Sequence, residues 1–423
     1  MADITHSKYL IVGGGMAAAA AIRGIRDIDP TGSIGLISEE SDPPYKRPPL
    51  SKKLWAGKPL KSIWTGVESK GVDMYLGRKA ISLDPEKKEV TDDRGTVYSF
   101  DKLLLATGSA PRQLAFGEGE IIYFRTVEDY RRLQSIAEKG TDFAVIGGGF
   151  VGSELAAALA MNGKLVTMIV PGAGISERIF PSDVVAFLND YYRDKGVDIL
   201  LGESAAGVVR NWERLKLSTR SGREIIVDGV VAGIGAQPNV ELAAQAGLEV
   251  ADGIVVDEFL RTNNPDIYSA GDVASFFDHT LDLYRRVEHE DNANTMGRIA
   301  GRNMAGEEEA YDHLPYFYSD LFDLGYEAVG ELDARLDVVA DWTEPYREGV
   351  LYYMRDGRVL GVLLWNVWDQ VEAARRLIAE QGPFRAEDLK GRLPEVSREP
   401  ETEQPQPEPG YVTGAATLAE VNS

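Results

Sequence analysis

The chain has 423 residues, 44% of them hydrophobic and 26% charged, a composition that supports two or three domains with packed cores and excludes a chain dominated by disorder. Its 45 Lys and Arg against 67 Asp and Glu leave a formal charge of −22, which repels phosphate backbones and anionic membranes at long range. The absence of cysteine excludes a disulfide scaffold and any thiolate or CxxC chemistry. The histidines, His6, His279, His289 and His313, lack metal-ligand spacing, so no metal is expected. The longest apolar run, Tyr9 to Ile22, is broken by three glycines, and no apolar signal core precedes it. No nucleic-acid partner, no membrane insertion and a cytoplasmic location are expected.

In chain order, Lys8–Val12 predicts a strand, Gly13-Gly14-Gly15 a turn, Ala17–Ile25 a small-residue helix, and Ile34–Ser38 a second strand ending in Glu39 and Glu40. In Gly13-x-Gly15-x-x-Ala18 one glycine makes the tight turn and the next admits a pyrophosphate against the backbone. Ala18 packs helix on strand, and Glu39 is placed to accept from a ribose hydroxyl. Leu103–Leu105 predicts a buried strand ending in the small turn Ala106-Thr107-Gly108-Ser109.

The pattern recurs at Phe143–Ile146 and Gly147-x-Gly149-x-x-Gly152, with Leu165–Val170 as the second strand. That strand runs into Pro171-Gly172, where a carboxylate would ordinarily select the unphosphorylated ribose. Arg178 lies six residues later, so NADH and NADPH both stay open. Ile267–Ala270 predicts a buried strand ending in Gly271-Asp272, whose acid can accept from ligand hydroxyls with the next helix beginning behind it. Taken alone, this segment and Ala106–Ser109 fit a structural role equally well. Past residue 310, stretches at 328–330, 336–341, 349–354 and 359–365 predict antiparallel strands, followed by a helix near 371–380. From Leu393 onward, Pro and Glu dominate, as in a disordered acidic tail. The fold class is α/β: two Rossmann-like dinucleotide units and a C-terminal α+β domain with an antiparallel sheet.

Two glycine motifs, an Ala-Thr-Gly strand end and an Ala-Gly-Asp strand end, in this order, resemble the two-dinucleotide flavoprotein reductases. Three longer stretches, Pro44–Trp55, Arg286–Ala293 and Gly361–Asn366, resemble apoptosis-inducing factor and its bacterial relatives, and the likeness runs from about residue 8 to 390. It implies an FAD domain of residues 1–122 and 247–308, an NAD(P)H domain of 123–246, a C-terminal domain of 309–392 and the tail 393–423.

It implies roles as well. Gly13, Gly15, Ala18, Ala106, Thr107, Gly108, Asp272 and Glu288 would hold FAD, with Arg47 on its pyrophosphate and Glu39 on its adenosine ribose. Lys52 would sit at flavin N5, paired with Glu154 from the first turn of the second nucleotide helix, so that a cation stabilises charge on the reduced ring. Phe150, His289 and Trp365 would wall the flavin and the stacked nicotinamide, while Gly147, Gly149, Gly152 and Gly235 would hold NAD. Lys52, Glu154 and His289 are thus the candidate catalytic groups.

Three functions follow from the resemblance. The first is an FAD-dependent NAD(P)H oxidoreductase, NADH favoured, passing electrons to a quinone, a small oxidant or a carrier protein. The second is a slow redox sensor whose reduced flavin–NAD+ complex controls homodimerisation. The third is a ferredoxin or rubredoxin reductase of an oxygenase system, which the overall charge opposes. Gly172 departs from the acid of vertebrate relatives, and only 35 residues separate Tyr318 from Tyr353, so the family's long insertion and its death-effector role are not carried over.

Overall fold

In the first unit an alanine-rich helix is pressed between a parallel sheet and a second helix. The computed structural model describes residues 4–394. Strands Val72–Leu76, Ile34–Ser38, Thr5–Val12 and Val97–Leu105 lie side by side in parallel, and Ile267–Ser269 joins the far side of Val97–Leu105. Leu10, Ile11, Leu36 and Leu103–Leu105 are inaccessible to solvent, as a sheet covered on both faces requires. Strands Ala80–Asp84 and Glu89–Asp92 extend this sheet in antiparallel fashion.

The helix Met16–Ile28 crosses the sheet and meets the helix Glu290–Met304 at backbone contact. A Cβ on Gly297 would lie 2.3 Å from the carbonyl oxygen of Ala17, and one on Gly301 2.2 Å from that of Ala21. Reciprocally, a Cβ on Gly24 would lie 2.1 Å from the oxygen of Arg298. Small residues at all three points let the helices touch, so a returning segment late in the chain braces the first nucleotide helix.

The second unit repeats the parallel plan in the order Val197–Leu201, Leu165–Val170, Asp142–Ile146, Gly229–Ala232, Ile121–Tyr123. A ribbon pairing Ser109–Pro111 with Ala236–Pro238 carries the chain between the two units. The C-terminal unit is a five-stranded antiparallel sheet, ordered Tyr316–Leu321, Leu324–Gly330, Arg358–Trp365, Glu348–Arg355, Asp337–Glu344, with the helix Val371–Ala379 on one face. Among the described residues, no helix is long and apolar enough to cross a membrane.

Two expectations need correction. No helix follows Asp272: Gly271 turns with φ +80°, and the chain re-enters a strand, Ala274–Asp278, beside Gly253–Val255. The Ala-Ser-Phe-Phe run suits a pleated, half-buried surface better than a helix. Leu393, the first residue of the expected tail, is packed into the C-terminal core and its N–H donates to the Tyr352 hydroxyl at 3.2 Å. Beyond Pro394 the expected tail lies outside the described residues.

The helix contact yields the first prediction. Gly301→Leu should cost about 1–3 kcal/mol by forcing the two helices apart, read as a lowered urea midpoint at unchanged slope. A control, Gly207→Ala, should move that midpoint much less, because no atom lies within 4 Å of a Cβ built there and its φ is not in the left-handed region.

Candidate functional site

The first glycine turn opens onto a cleft of about 1040 Å³, which is large for a small-molecule site. Its lining brings together Gly13, Gly15, Glu39, Arg47, Ala106, Thr107, Gly108 and Asp272, segments scattered over some 260 residues of sequence. Gly13 has φ +119°, and a Cβ there would lie 2.0 Å from the carbonyl oxygen of Ala106, so only glycine fits. Gly15 differs: no atom lies within 4 Å of a Cβ built on it, and a side chain would fill the cradle instead. Ala18 is fully buried behind the turn.

The helix after this turn has no side-chain cap and no acid in its first turn, so its N–H groups face the cleft without a protein carboxylate. A pyrophosphate supplies what such a helix end lacks. The residues present therefore fit FAD.

Arg47 lines the same cleft, held at 2.5 Å by Glu40 and donating at 3.0 Å to both the Tyr45 hydroxyl and the Arg125 carbonyl. Burial holds the Tyr45 hydroxyl well above the ordinary phenol range. Asp272 accepts from Arg125 at 2.5 Å, and Thr107 and Asn239 exchange side-chain-to-carbonyl hydrogen bonds at 2.8 Å. Arg125 and Asn239 also line the cleft, and sequence reading missed both because neither belongs to a motif. Glu39 lies at the rim, 3.3 Å from Lys79.

Away from that lining, Lys52 and Glu154 form an ion pair of 2.6 Å with side chains only 9% and 6% exposed. Lys52 follows the short helical turn Pro48–Ser51, and Glu154 is the fifth residue of the helix Phe150–Met161, hence in its second turn rather than its first. The hydroxyls of Ser51 and Ser319 each donate to the Glu154 carboxylate at 2.6 Å. The ammonium of Lys52 also lies 5.0 Å from the centre of the Tyr318 ring. Ser51, Tyr318 and Ser319 carry no sequence signal for this role.

Phe150 meets the edge of Phe317 at 5.1 Å, and Phe317 stacks on His289 at 4.3 Å. His289 precedes the helix Glu290–Met304 and accepts through its carbonyl from Ala293, which itself lines the cleft. Burial lowers the His289 pKa to about 4, with Asp272 opposing and Lys52 assisting the shift, so the ring is neutral at pH 7. These residues make a compact aromatic and ionic cluster beside the cleft.

Trp365 lies one ring further out, meeting Tyr326, whose ring is 6.1 Å from that of Phe317. Its indole is fully buried, stacked on Tyr326 at 5.8 Å and donating to the Tyr346 carbonyl at 3.0 Å, in a strand that is buried on both faces from Val359 onward. Glu288 is likewise absent from the cleft lining, and its carboxylate is taken by Arg286.

The second glycine turn repeats the first. Gly147 has φ +104° with a Cβ position 2.4 Å from the Gly233 carbonyl oxygen, a Cβ on Gly152 would lie 2.2 Å from the carbonyl oxygen of Gly147, and Gly149 opens onto free space. Gly235, φ +98°, lies on the segment leading into the inter-unit ribbon. The helix Phe150–Met161 also lacks a side-chain cap, which fits a second dinucleotide.

Known proteins share this arrangement. Residues 7–297 match the family described as pyridine nucleotide-disulphide oxidoreductase, and residues 300–345 and 341–380 match the C-terminal region described for mitochondrion-associated apoptosis-inducing factor. The chain is 34% identical to apoptosis-inducing factor 1, mitochondrial, of Dictyostelium discoideum over 90% of this chain and 79% of that one. It is also 34% identical to monodehydroascorbate reductase 3 of Arabidopsis thaliana, over 90% of this chain and 95% of the relative. The solved putidaredoxin reductase–putidaredoxin complex aligns with a TM-score of 0.83 at 28% identity, over 89% and 94% of the two chains. The chain belongs to the pyridine nucleotide-disulphide oxidoreductase family, as an apoptosis-inducing-factor-like, FAD-dependent NAD(P)H oxidoreductase that works without cysteine.

Proposed function

We propose that the Lys52–Glu154 pair and the ring cluster around His289 form the place where NADH gives up its electrons, and that a quinone or another small oxidant finally receives them. The observation that carries this reading is an ammonium held at 2.6 Å from a carboxylate, with both side chains nearly buried and the Tyr318 ring beside the cation. FAD, when bound, supplies the electron-accepting ring chemistry that no side chain of this chain can provide. The protein contributes the rest. Gly13, Gly15 and the helix end behind them hold a pyrophosphate, with Arg47 and Arg125 as nearby cations. Gly147, Gly149 and Gly152 offer the same to the nicotinamide nucleotide.

Glu154 fixes the direction of the Lys52 ammonium, and the two serines fix Glu154. Phe150, Phe317 and neutral His289 supply flat surfaces that exclude water. The same reading divides the chain into an FAD part, 1–122 with 247–308, an NAD(P)H part, 123–246, and a C-terminal part, 309–392. The Ser109–Pro111 and Ala236–Pro238 ribbon supports crossings about ten residues earlier than those limits, since Ile121–Tyr123 is already a strand of the second sheet.

A second reading has one observation behind it, the likeness to a reductase solved with its carrier putidaredoxin. Against it stands the net charge of −22, which disfavours docking of an acidic carrier. Reduction of such a carrier at low salt, faster than that of any quinone, would favour the carrier over the small oxidant.

Anaerobic mixing with NADH should bleach the flavin visible band within seconds, and Lys52→Met should slow that step about 10²-fold while the flavin stays bound. An unaltered rate in the variant refutes the assigned role. Glu154→Gln should slow bleaching by about tenfold, since Lys52 keeps its charge but loses the carboxylate that directs it.

The lowered pKa of His289 has a further consequence. Between about pH 4 and pH 6.5 the unfolded chain binds a proton at this site that the folded chain does not, so stability rises with pH there. In urea unfolding of the flavin-free protein, His289→Asn should lose less stability than wild type on acidification through that window.

A further inference from the structure

The strand that should end in a ribose-binding acid ends in Gly172, and the loop after it restores a carboxylate at that place. Residues 171–180 fold back over the second glycine turn: the Ser176 N–H donates to the Gly148 carbonyl at 2.8 Å, and Ser176 takes φ +54° to make the bend. The bend returns the side chain of Glu177 to the strand end, where its carboxylate accepts from the Ala173 N–H at 2.5 Å.

A Cβ built on Gly172 would lie 1.7 Å from Oε1 of Glu177. The Glu177 carboxylate therefore occupies the space into which a side chain at residue 172 would project, and the missing Cβ is what makes room for it. Glu177 is an exposed residue that forms no ion pair among the described residues, so its carboxylate is not committed to a cation.

The backbone at Arg178 is held by the C-terminal unit. Its carbonyl accepts from the Ala334 N–H at 2.9 Å, and the next carbonyl, of Ile179, accepts from the Tyr353 hydroxyl at 2.7 Å. Both bonds tie this stretch to the C-terminal unit.

We infer that Glu177 is the group that selects NADH over NADPH: its carboxylate accepts from the 2′-hydroxyl of the adenosine ribose and repels a 2′-phosphate. The inference rests on the second glycine turn binding the nicotinamide nucleotide. It names a residue outside the strand–turn–helix motif, five positions beyond the usual one, with Gly172 as its necessary partner. A carboxylate here discriminates twice, by the hydrogen bond offered to one ribose and by charge against the other.

The test uses the FAD-loaded protein and two probes that carry no nicotinamide, ADP-ribose and 2′-phospho-ADP-ribose, titrated by calorimetry. Wild type should bind ADP-ribose at least tenfold more tightly than its 2′-phosphate. Glu177→Gln should narrow that ratio by roughly tenfold, and Gly172→Glu combined with Glu177→Ala, whose short side chain clears the space, should restore the ratio by returning an acid to the strand end. Arg178→Ala should leave it unchanged. Ratios of kcat/KM for NADH over NADPH should follow the same order, and an unaltered flavin spectrum shows that each variant is folded. Tighter binding of the 2′-phosphorylated probe by wild type, or an unchanged ratio in Glu177→Gln, overturns the assignment of Glu177 while leaving the nucleotide site intact. Failure of both probes to bind overturns the site itself, and this inference with it.

Discussion

The carboxylate of Glu154 is the point at which three separate parts of the chain are fastened together. It accepts from the Lys52 ammonium, from the Ser51 hydroxyl beside it, and from the Ser319 hydroxyl on an edge strand of the C-terminal sheet. A charge so poorly exposed to water is tolerated only when its oxygens are fully occupied by donors. That requirement couples the segments: if Ser319 or Lys52 moves away, a buried carboxylate is left short of partners. The relative placement of the first unit, the second helix and the C-terminal sheet is thus tied to one acid. A lysine on a flexible stem becomes a cation of fixed position.

Around this point the two glycine turns repeat one geometry on two sheets. In each, the first glycine is pressed against a carbonyl leaving the neighbouring strand, Ala106 in one case and Gly233 in the other, and the second lies open. In each, the following helix starts without a side-chain cap. The resulting partial positive charge is unmet by protein and is suited to a phosphate. The open position and the uncapped helix are two halves of one binding device, and neither has a stabilising role that would explain it alone.

Much of this was legible in the amino-acid order because it is local. A strand, a glycine turn and a helix are contiguous, so the spacing Gly13-x-Gly15 or Gly147-x-Gly149 reports the turn directly. The pairing of Lys52 with Glu154 came from family likeness and not from any pattern, since the partners are about a hundred residues apart. What escaped was set by long-range packing. Trp365 ends a near-continuous apolar strand buried on both faces, so the pattern does not say which rings it meets, and its contacts with Phe180 and Tyr326 come from residues distant in sequence. The strand after Asp272 was missed because a strand–glycine–acid string reads as the start of a nucleotide helix until the pairing of Ile254 with Ala274 is seen. Arg125, Ser51 and Ser319 belong to no motif, and only the folded chain brings them to the cleft or to Glu154.

The charge balance of the cleft bears on how an anionic dinucleotide is received by so acidic a protein. Arg47 and Arg125 are not free cations waiting for phosphate; Glu40 and Asp272 already hold them at 2.5 Å. Each pair sits partly buried, where an unpaired guanidinium would be costly to keep. Pairing lowers the net positive field that a pyrophosphate would feel, yet it fixes both guanidinium planes in advance and leaves other N–H groups of each fork available. It also holds carboxylate oxygens in the cleft as acceptors for ligand hydroxyls. The neutral N–H groups of the uncapped helix end offer a phosphate donors without adding any charge that the surrounding acid surface would have to balance.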